Sequence, residues 1–193
     1  MAYSEKLGTN RGFELGNASQ FSIAGGGTNG VYTTSVGEGS YAWQLYADIN
    51  SSGAGDENET MYTDPVVGVP GQIYKVGMYA AMLANYRSGS ACSRSLEGNI
   101  YFYNAGGSEI SHTQIYYAGT LDSFPSTFTW YELDVTAPAL TATMKLMAKV
   151  RVWKAETDPA QSVYRRLGVD GFSIAQKVSR GNSAVYISDY GIV

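Results

Sequence analysis

At 193 residues, 44% of them hydrophobic, the chain is long enough to bury one sizeable core. A formal net charge of −4 speaks against a partner held through phosphates, so nucleic acid is excluded, and the single cysteine, Cys92, allows neither an intrachain disulfide nor a cysteine-based zinc site. No window approaches a membrane span, and 16 Tyr and 23 Gly against 16% charged residues suit short strands and tight turns, so the expected class is all-β.

Residues 1–9 are polar and are expected to form a short arm or linker. The start, M-A-Y-S-E-K-L-G-T-N, lacks the basic segment and apolar run of a signal peptide. Made in a cytoplasm, the chain is then either cut from a larger secreted protein or released by a route other than secretion. N-R-G-F-E-L-G (residues 10–16) opens the domain with Phe13 as a core candidate. Glu14 beside it is a solvated edge charge or a carboxylate aimed at a structural cation, position alone favouring the first.

Phe21 and Ile23 alternate as a short strand. The following G-G-G-T-N-G (residues 25–30) lacks the Lys and Ser/Thr of a phosphate-binding loop and reads as a turn. S-Y-A-W-Q-L-Y-A (residues 40–47) is a clearer strand, with Tyr41, Trp43 and Leu45 expected inward and Ala42, Gln44 and Tyr46 outward. Residues 48–60, including G-D-E-N-E, read as a solvated acidic loop, because the spaced ligands and central Gly of a helix-loop-helix calcium site are absent.

The chain is organised around V-V-G-V-P-G-Q-I-Y-K-V-G-M-Y-A-A (residues 66–81). Pro70-Gly71 is a turn; beyond it Tyr74, Val76 and Met78 offer a core face, while Lys75, Gly77 and Tyr79 offer a ligand-bearing one. Residues 83–95, L-A-N-Y-R-S-G-S-A-C-S-R-S, are too rich in Ser and Gly for regular structure and are expected to rim a cleft. G-N-I-Y-F-Y-N-A-G-G (residues 98–107) sets Ile100 and Phe102 against Tyr101 and Tyr103 and ends in a turn, with residues 108–118 as hairpin partner. Lone His112 there reads as a polar strand residue rather than a metal ligand or base.

W-Y-E-L-D-V (residues 130–135) is a strand stopped before Pro138, which denies the ladder a donor. In K-L-M-A-K-V-R-V-W-K (residues 145–154), Leu146, Ala148, Val150 and Val152 are the apolar set, opposite Met147, Lys149, Arg151 and Trp153. Trp153 beside cationic side chains suits a ligand site or an interface. In L-G-V-D-G-F-S-I (residues 167–174) Asp170 alternates with Phe172 and Ile174, opposite Val169, Gly171 and Ser173. A carboxylate among apolar residues wants a cation or several donors.

Four of these segments, in order across residues 10–175, resemble the β-sandwich carbohydrate-binding modules grouped as families four, nine and twenty-two, found beside xylanase and cellulase domains. N-x-G-F-E-x-G is met by residues 10–16, and G-x-Y-x-L-x-V by residues 39–45, with Trp43 for the Leu. P-G-x-x-Y is met by residues 70–78, and A-P-A-x-T with a later near match to I-D-D-V-S-I closes the series at residues 169–174. The resemblance implies a jelly roll of two antiparallel sheets with no catalytic residues. It also implies a structural calcium between the opening and closing segments, with Glu14 and Asp170 as side-chain ligands and backbone carbonyls completing the shell. Two departures stand out: Gly171 replaces a second Asp, and Phe21 stands where the family often has Trp.

With the apolar sets in a core, the opposite faces are expected to collect Gln44, Tyr46, Tyr79, Tyr101, Tyr103, Arg151 and Trp153. Aromatic rings that meet sugar C–H patches, with amide and guanidinium donors for hydroxyls, suit a glycan. Beyond the domain, residues 176–193 end in an apolar Ile192-Val193 and read as an arm that adds a strand to its own sheet or to a neighbour's, in a homo-oligomer or beside virion proteins. The reading is therefore a non-catalytic glycan-binding module on a virion surface, a phage capsid decoration or tail component. The alternatives are a purely structural assembly protein of the same fold, or an extracellular module cut from a secreted glycoside hydrolase. An enzyme would have to rest on the paired acids Asp56 and Glu57 or on lone His112, and none is expected.

Overall fold

A pleated backbone sends successive side chains to opposite faces, so segments that alternate apolar and polar residues can bury one face and wet the other. A computed structural model describes residues 2–7, 11–34, 36–49, 55–88, 92–120, 122–154 and 162–178. Its strands are β1 (Ala2–Glu5), β2 (Phe21–Gly25), β3 (Thr28–Tyr32), β4 (Ala42–Ile49), β5 (Gly55–Thr63), β6 (Val66–Val67), β7 (Ile73–Arg87), β8 (Cys92–Tyr103), β9 (Glu109–Ala118), β10 (Thr129–Thr136), β11 (Thr143–Lys154) and β12 (Val163–Val178). The first sheet runs β10-β7-β12-β4-β3, with β1 on β12; the second runs β2-β5-β11-β8-β9, with β6 on β11. Every pairing is antiparallel, giving the expected all-β two-sheet sandwich.

The core lies between the sheets. Tyr74, Val76 and Met78 of β7 are buried there as expected, facing Leu146, Ala148, Val150 and Val152 of β11 and Ile100 and Phe102 of β8. The expected inward set of β4 holds too: Leu45 is fully buried and Tyr41 and Trp43 pack on the cluster. Phe13 is buried at one end, its ring 4.5 Å from Phe21 and 5.6 Å from Trp43. Tyr74 brings its hydroxyl inside with a partner, accepting the Val69 N–H at 3.0 Å, which pins the Pro70-Gly71 turn against its own strand.

Several expectations are corrected. Residues 2–5, read as arm or linker, are β1, paired with the last turn-free stretch of β12 from Ala175 to Val178. The acidic G-D-E-N-E is the first half of β5 and not a loop. Two of its acids find partners on strands remote in sequence: Arg151 bridges Asp56, and Glu59, pointing between the sheets, accepts the Asn29 amide on Oε1 at 2.7 Å while its Oε2 is buried without a partner. Residues 83–87 and 92–95 are regular as well, β7 running on to Arg87 and β8 starting at Cys92, because β12 and β11 supply the ladder for both; residues 89–91 lie outside the described residues. Of the Gly-rich run at 25–30 only Gly26 and Gly27 are a connection, crossing from one sheet to the other; a Cβ on Gly27 would lie 2.2 Å from the Tyr46 carbonyl.

Simple alternation also fails in β12. A bulge between Asp170 and Ser173, with Gly171 at φ 53°, sets two residues against one of β7. Val169 and Phe172 therefore both enter the core, and Asp170 leaves the apolar set to stand opposite Tyr79. Of the expected C-terminal arm, Gln176 to Val178 belong to β12; residues 179–193 lie outside the described residues.

Candidate functional site

The seven residues expected on one ligand-bearing face do not share one. Gln44, Tyr46 and Tyr79 lie on the outer face of the first sheet; Tyr101, Tyr103, Arg151 and Trp153 lie on the outer face of the second. Two packed sheets, about 10 Å apart, separate the groups.

On the first sheet Tyr79 is half-buried: its ring sits 4.9 Å from Trp130, and a Cβ on Gly37 would lie 2.5 Å from it. Tyr46 is 5.9 Å from Tyr164, whose ring stacks on Tyr86 at 5.4 Å, and Arg166 lies 5.0 Å over Tyr46. Gly168, beside Gln44 in register, is roofed by Phe128 and Leu83.

The second sheet presents a more continuous surface. Tyr62 of β5, which the sequence reading passed over, meets Tyr101 of β8 at 6.0 Å, and Tyr101 stacks on Tyr103 at 6.3 Å. His112 of β9 adds a fourth ring 5.0 Å from Tyr101, held by Glu109 at 2.9 Å, and Lys145 lies 5.9 Å over Tyr103. Burial first, then the neighbouring Tyr62 and Glu109, push the Tyr101 phenol up to about 12; Tyr62 and Tyr103 are raised for the same first reason. All three stay neutral near pH 7 and can both donate and accept a hydrogen bond.

The middle of this face is buried beneath its neighbours and mixes polar groups with Met147, itself 2% exposed. Asn99 is 6% exposed and Thr60 7%, though both point outward, opposite Met147 and Lys149 of β11. Along β11 the surface then reaches Arg151, tied through two bonds to Asp56, and Trp153, 41% exposed. That ion pair holds the Asp56 carboxyl below its usual range. Glu57, its neighbour, alternates to the opposite face of β5, so these two acids do not converge. From Lys145 to Trp153 is eight steps of strand, roughly 26 Å. Trp153 and Tyr117 wall a pocket of about 330 Å³ at that end.

Glu14 and Asp170 meet a common loop. Asp170, fully buried, accepts the Gly37 and Glu38 N–H groups on Oδ2 at 2.9 and 2.8 Å and the Gly171 N–H on Oδ1 at 2.7 Å. The Ser40 N–H lies 3.2 and 3.1 Å from the two oxygens of exposed Glu14. Burial, more than the nearby Glu38 charge, raises the Asp170 carboxyl to about 7, against the pull of its three backbone donors. Oε1 of Glu38 and Oδ1 of Asp170 both crowd Gly12, within 3.1 and 3.3 Å of where a Cβ would stand, and Arg11 reaches Glu38 at 3.8 Å. Among the described residues no three His, Cys, Asp or Glu side chains converge. Both oxygens of Asp170 already accept backbone N–H groups, and the Glu38 carboxylate stands on the same Gly12 segment. Glu14 serves the same loop from its far end.

No family model matches the chain, and no curated protein sequence matches it. Solved structures do resemble it in fold. The enzymatically active domain of bacteriophage CBA120 tailspike protein 4 superposes with a TM-score of 0.56 at 12% identity, over 89% of this chain and 21% of that one. The CBM22-1–GH10 modules of Clostridium thermocellum xylanase 10B, complexed with xylohexaose, give 0.54 at 14%, over 97% of this chain and 30% of that one. TmCBM61 in complex with β-1,4-galactotriose gives 0.50 at 15%, over 90% of this chain and 100% of that one. The chain spans about a fifth of the tailspike domain and the whole of the CBM61 module. Its fold is that of the carbohydrate-binding β-sandwich modules.

Proposed function

We propose that the chain is a non-catalytic glycan-binding domain whose ligand lies along the outer face of the second sheet. The observation that carries this is the run of Tyr62, Tyr101 and Tyr103 over β5 and β8, continued along the same face past Asn99, Thr60 and Met147 to Arg151 and Trp153. Rings present apolar faces to sugar C–H groups, and neutral phenols, amides and cations at their rims bond hydroxyls. A module of this fold complexed with β-1,4-galactotriose, and a CBM22-1–GH10 pair complexed with xylohexaose, support the ligand class and not the sugar. The expected result is binding to a defined subset of a glycan array by folded protein with calcium present. A blank array under those conditions overturns the reading in favour of a scaffold that assembles without sugar.

The proposal extends to attachment from a virion surface, as a capsid decoration or tail component. The likeness to a phage tailspike domain supports this extension. Sedimentation of the protein with phage particles tests it, and its recovery only as free protein counts against it.

A calcium ion belongs to the same proposal. Asp170 and Glu38 would hold it, with Glu14 securing the far end of the 37–40 loop, and the ion would tie the segment around Gly12 to the closing strand. Calcium at about 100 times its dissociation constant should add about 2.7 kcal/mol, a rise in the unfolding midpoint of roughly 5–10 °C for a domain of this size. A chelator should reverse the rise and Asp170→Asn should abolish it; a midpoint indifferent to calcium overturns the metal site and leaves the glycan face untouched.

A further inference from the structure

Three arginines converge in the gap between the sheets, at the end where β7 stops and β8 begins. Arg165 of β12 is fully buried and sends Nη1 across to the carbonyls of Ala118 and Gly119 at the end of β9. Arg87 of β7 crosses the same gap and donates to the Cys92 carbonyl of β8 at 3.2 Å. Arg94 lies two residues on from Cys92, opposite core residue Val152 of β11 and between buried Cys92 and Leu96. Strand alternation therefore turns its side chain inward to join the other two.

This group is short of negative charge. Among the described residues no ion pair reaches any of the three. Nε of Arg94 and Nε of Arg165 are both buried without an acceptor, and Nη2 of Arg165 has only the Met82 sulfur, 3.6 Å away. Asn85, in register with Arg165, has its Oδ1 buried and unpartnered too, and an amide offers a donor on its other side. Asp122 is the carboxylate that favours the charged form of Arg165, and it accepts the Gly119 N–H at 2.7 Å. Burial first, then the Arg87 charge, disfavours the Arg94 cation; burial, then Arg94, does the same to Arg165. A guanidinium does not relieve such crowding by giving up its proton near pH 7. Water alone would fill the open donors and leave three like charges facing one another.

We propose that a small inorganic oxyanion, sulfate or phosphate, binds between the sheets at this end, taking hydrogen bonds from Arg94 and Arg165 while Arg87 lends a third positive charge. Its several oxygens match the planar forks of two guanidinium groups, and charge-assisted bonds gain strength where water is partly excluded. Arg87 and Arg94 are only half-buried, which leaves the anion a way in from solvent. Because the cations come from β7 and β12 of the first sheet and β8 of the second, the ion ties the two sheets together. The site shares no side chain with the glycan face or with the Asp170 loop, and it does not depend on either.

The test is thermal unfolding of the full chain titrated with sodium sulfate, at constant ionic strength made up with sodium chloride. A chelator is present throughout, so that no calcium contributes. The midpoint should rise along a saturating curve, by roughly 5–10 °C at about 100 times the dissociation constant. Equilibrium dialysis with labelled sulfate should find a single anion per chain. Arg94→Gln should lose the rise, and without sulfate it should unfold no lower than the parent, because it removes a charge that repels its neighbours. Arg94→Lys, which keeps the charge, should keep part of the rise. Arg87→Gln, on a different strand, should reduce the rise as well and serves as the probe if Arg94→Gln does not fold. A midpoint indifferent to sulfate, no bound sulfate, or a full rise surviving in the glutamine variants overturns the proposal. A rise that stays linear and equal in parent and variants is general salt stabilisation, and it overturns the proposal too. Glycan binding, read on the array, stands or falls separately.

Discussion

Replacing Arg165 with alanine should destabilise the domain by about 3–5 kcal/mol and lower its unfolding midpoint by roughly 10 °C. The side chain is fully buried, crosses from β12 to the end of β9, and donates from Nη1 to the carbonyls of Ala118 and Gly119 at 3.0 and 3.2 Å. Its Nη2 rests 3.6 Å from the Met82 sulfur, and Nε has no acceptor. Burial, and next the charge of Arg94, bring its pKa down to about 10, so the group is still a cation at neutral pH. Alanine removes the clasp between the sheets, strands two carbonyls that water reaches poorly, and leaves a void. Arg165→Met keeps most of the volume and loses only the bonds, so it should cost less, about 1–3 kcal/mol. Urea unfolding of the two variants separates packing from hydrogen bonding. A methionine variant as stable as the parent would mean that the carbonyl clasp contributes nothing, and that a buried cation at this position is tolerated for another reason.

The strands were legible where both faces of the alternation carry distinct chemistry, as in β7, β8 and β11. They were not legible where a strand's charges are satisfied by partners far along the chain. Asp56 looks like a loop residue until Arg151, 95 positions away, is known to lie beside it, and Glu59 until Asn29 reaches it. Residues 83–95 offer little apolar content, but β7 and β8 are each flanked by long neighbours, and ladder bonds from β12 and β11 hold them extended. The bulge at Gly171 was hidden for a similar reason, since a period-two reading assumes one residue opposite one.

The site shows a more general limit. Alternation tells which residues of one strand share a face; it does not tell which sheet that strand joins. β4 and β7 pair with β12, whereas β8 and β11 pair with each other, so Tyr46 and Tyr101 face opposite directions although each is outward on its own strand. Tyr62 is hidden by the acidic run before it, which reads as loop, though E-T-M-Y-T alternates and Met61 is buried beside it. Strand parity alone puts Tyr79 outward, and it does not show that the loop bearing Gly37 and the ring of Trp130 pack beside it.

That division makes the two faces each other's control. Tyr101→Ala should weaken binding to whichever glycan the array identifies by about 30-fold, close to 2 kcal/mol, because it removes the ring that touches Tyr62, Tyr103 and His112 at once. Tyr101→Phe keeps the ring and loses one hydroxyl, so it should cost no more than about tenfold. Tyr46→Ala also removes a half-buried tyrosine from the middle of a strand, but on the other sheet, and should leave the affinity unchanged. Isothermal titration of the three variants, with thermal unfolding to show that each is folded, decides the matter. If Tyr46→Ala abolishes binding and Tyr101→Ala does not, the ligand lies on the first sheet, against the Tyr46, Tyr164 and Tyr86 rings, and the assignment of the binding face is reversed. If both lose affinity equally without unfolding, no single face can account for it, since the sandwich core stands between them, and each sheet must carry a site of its own.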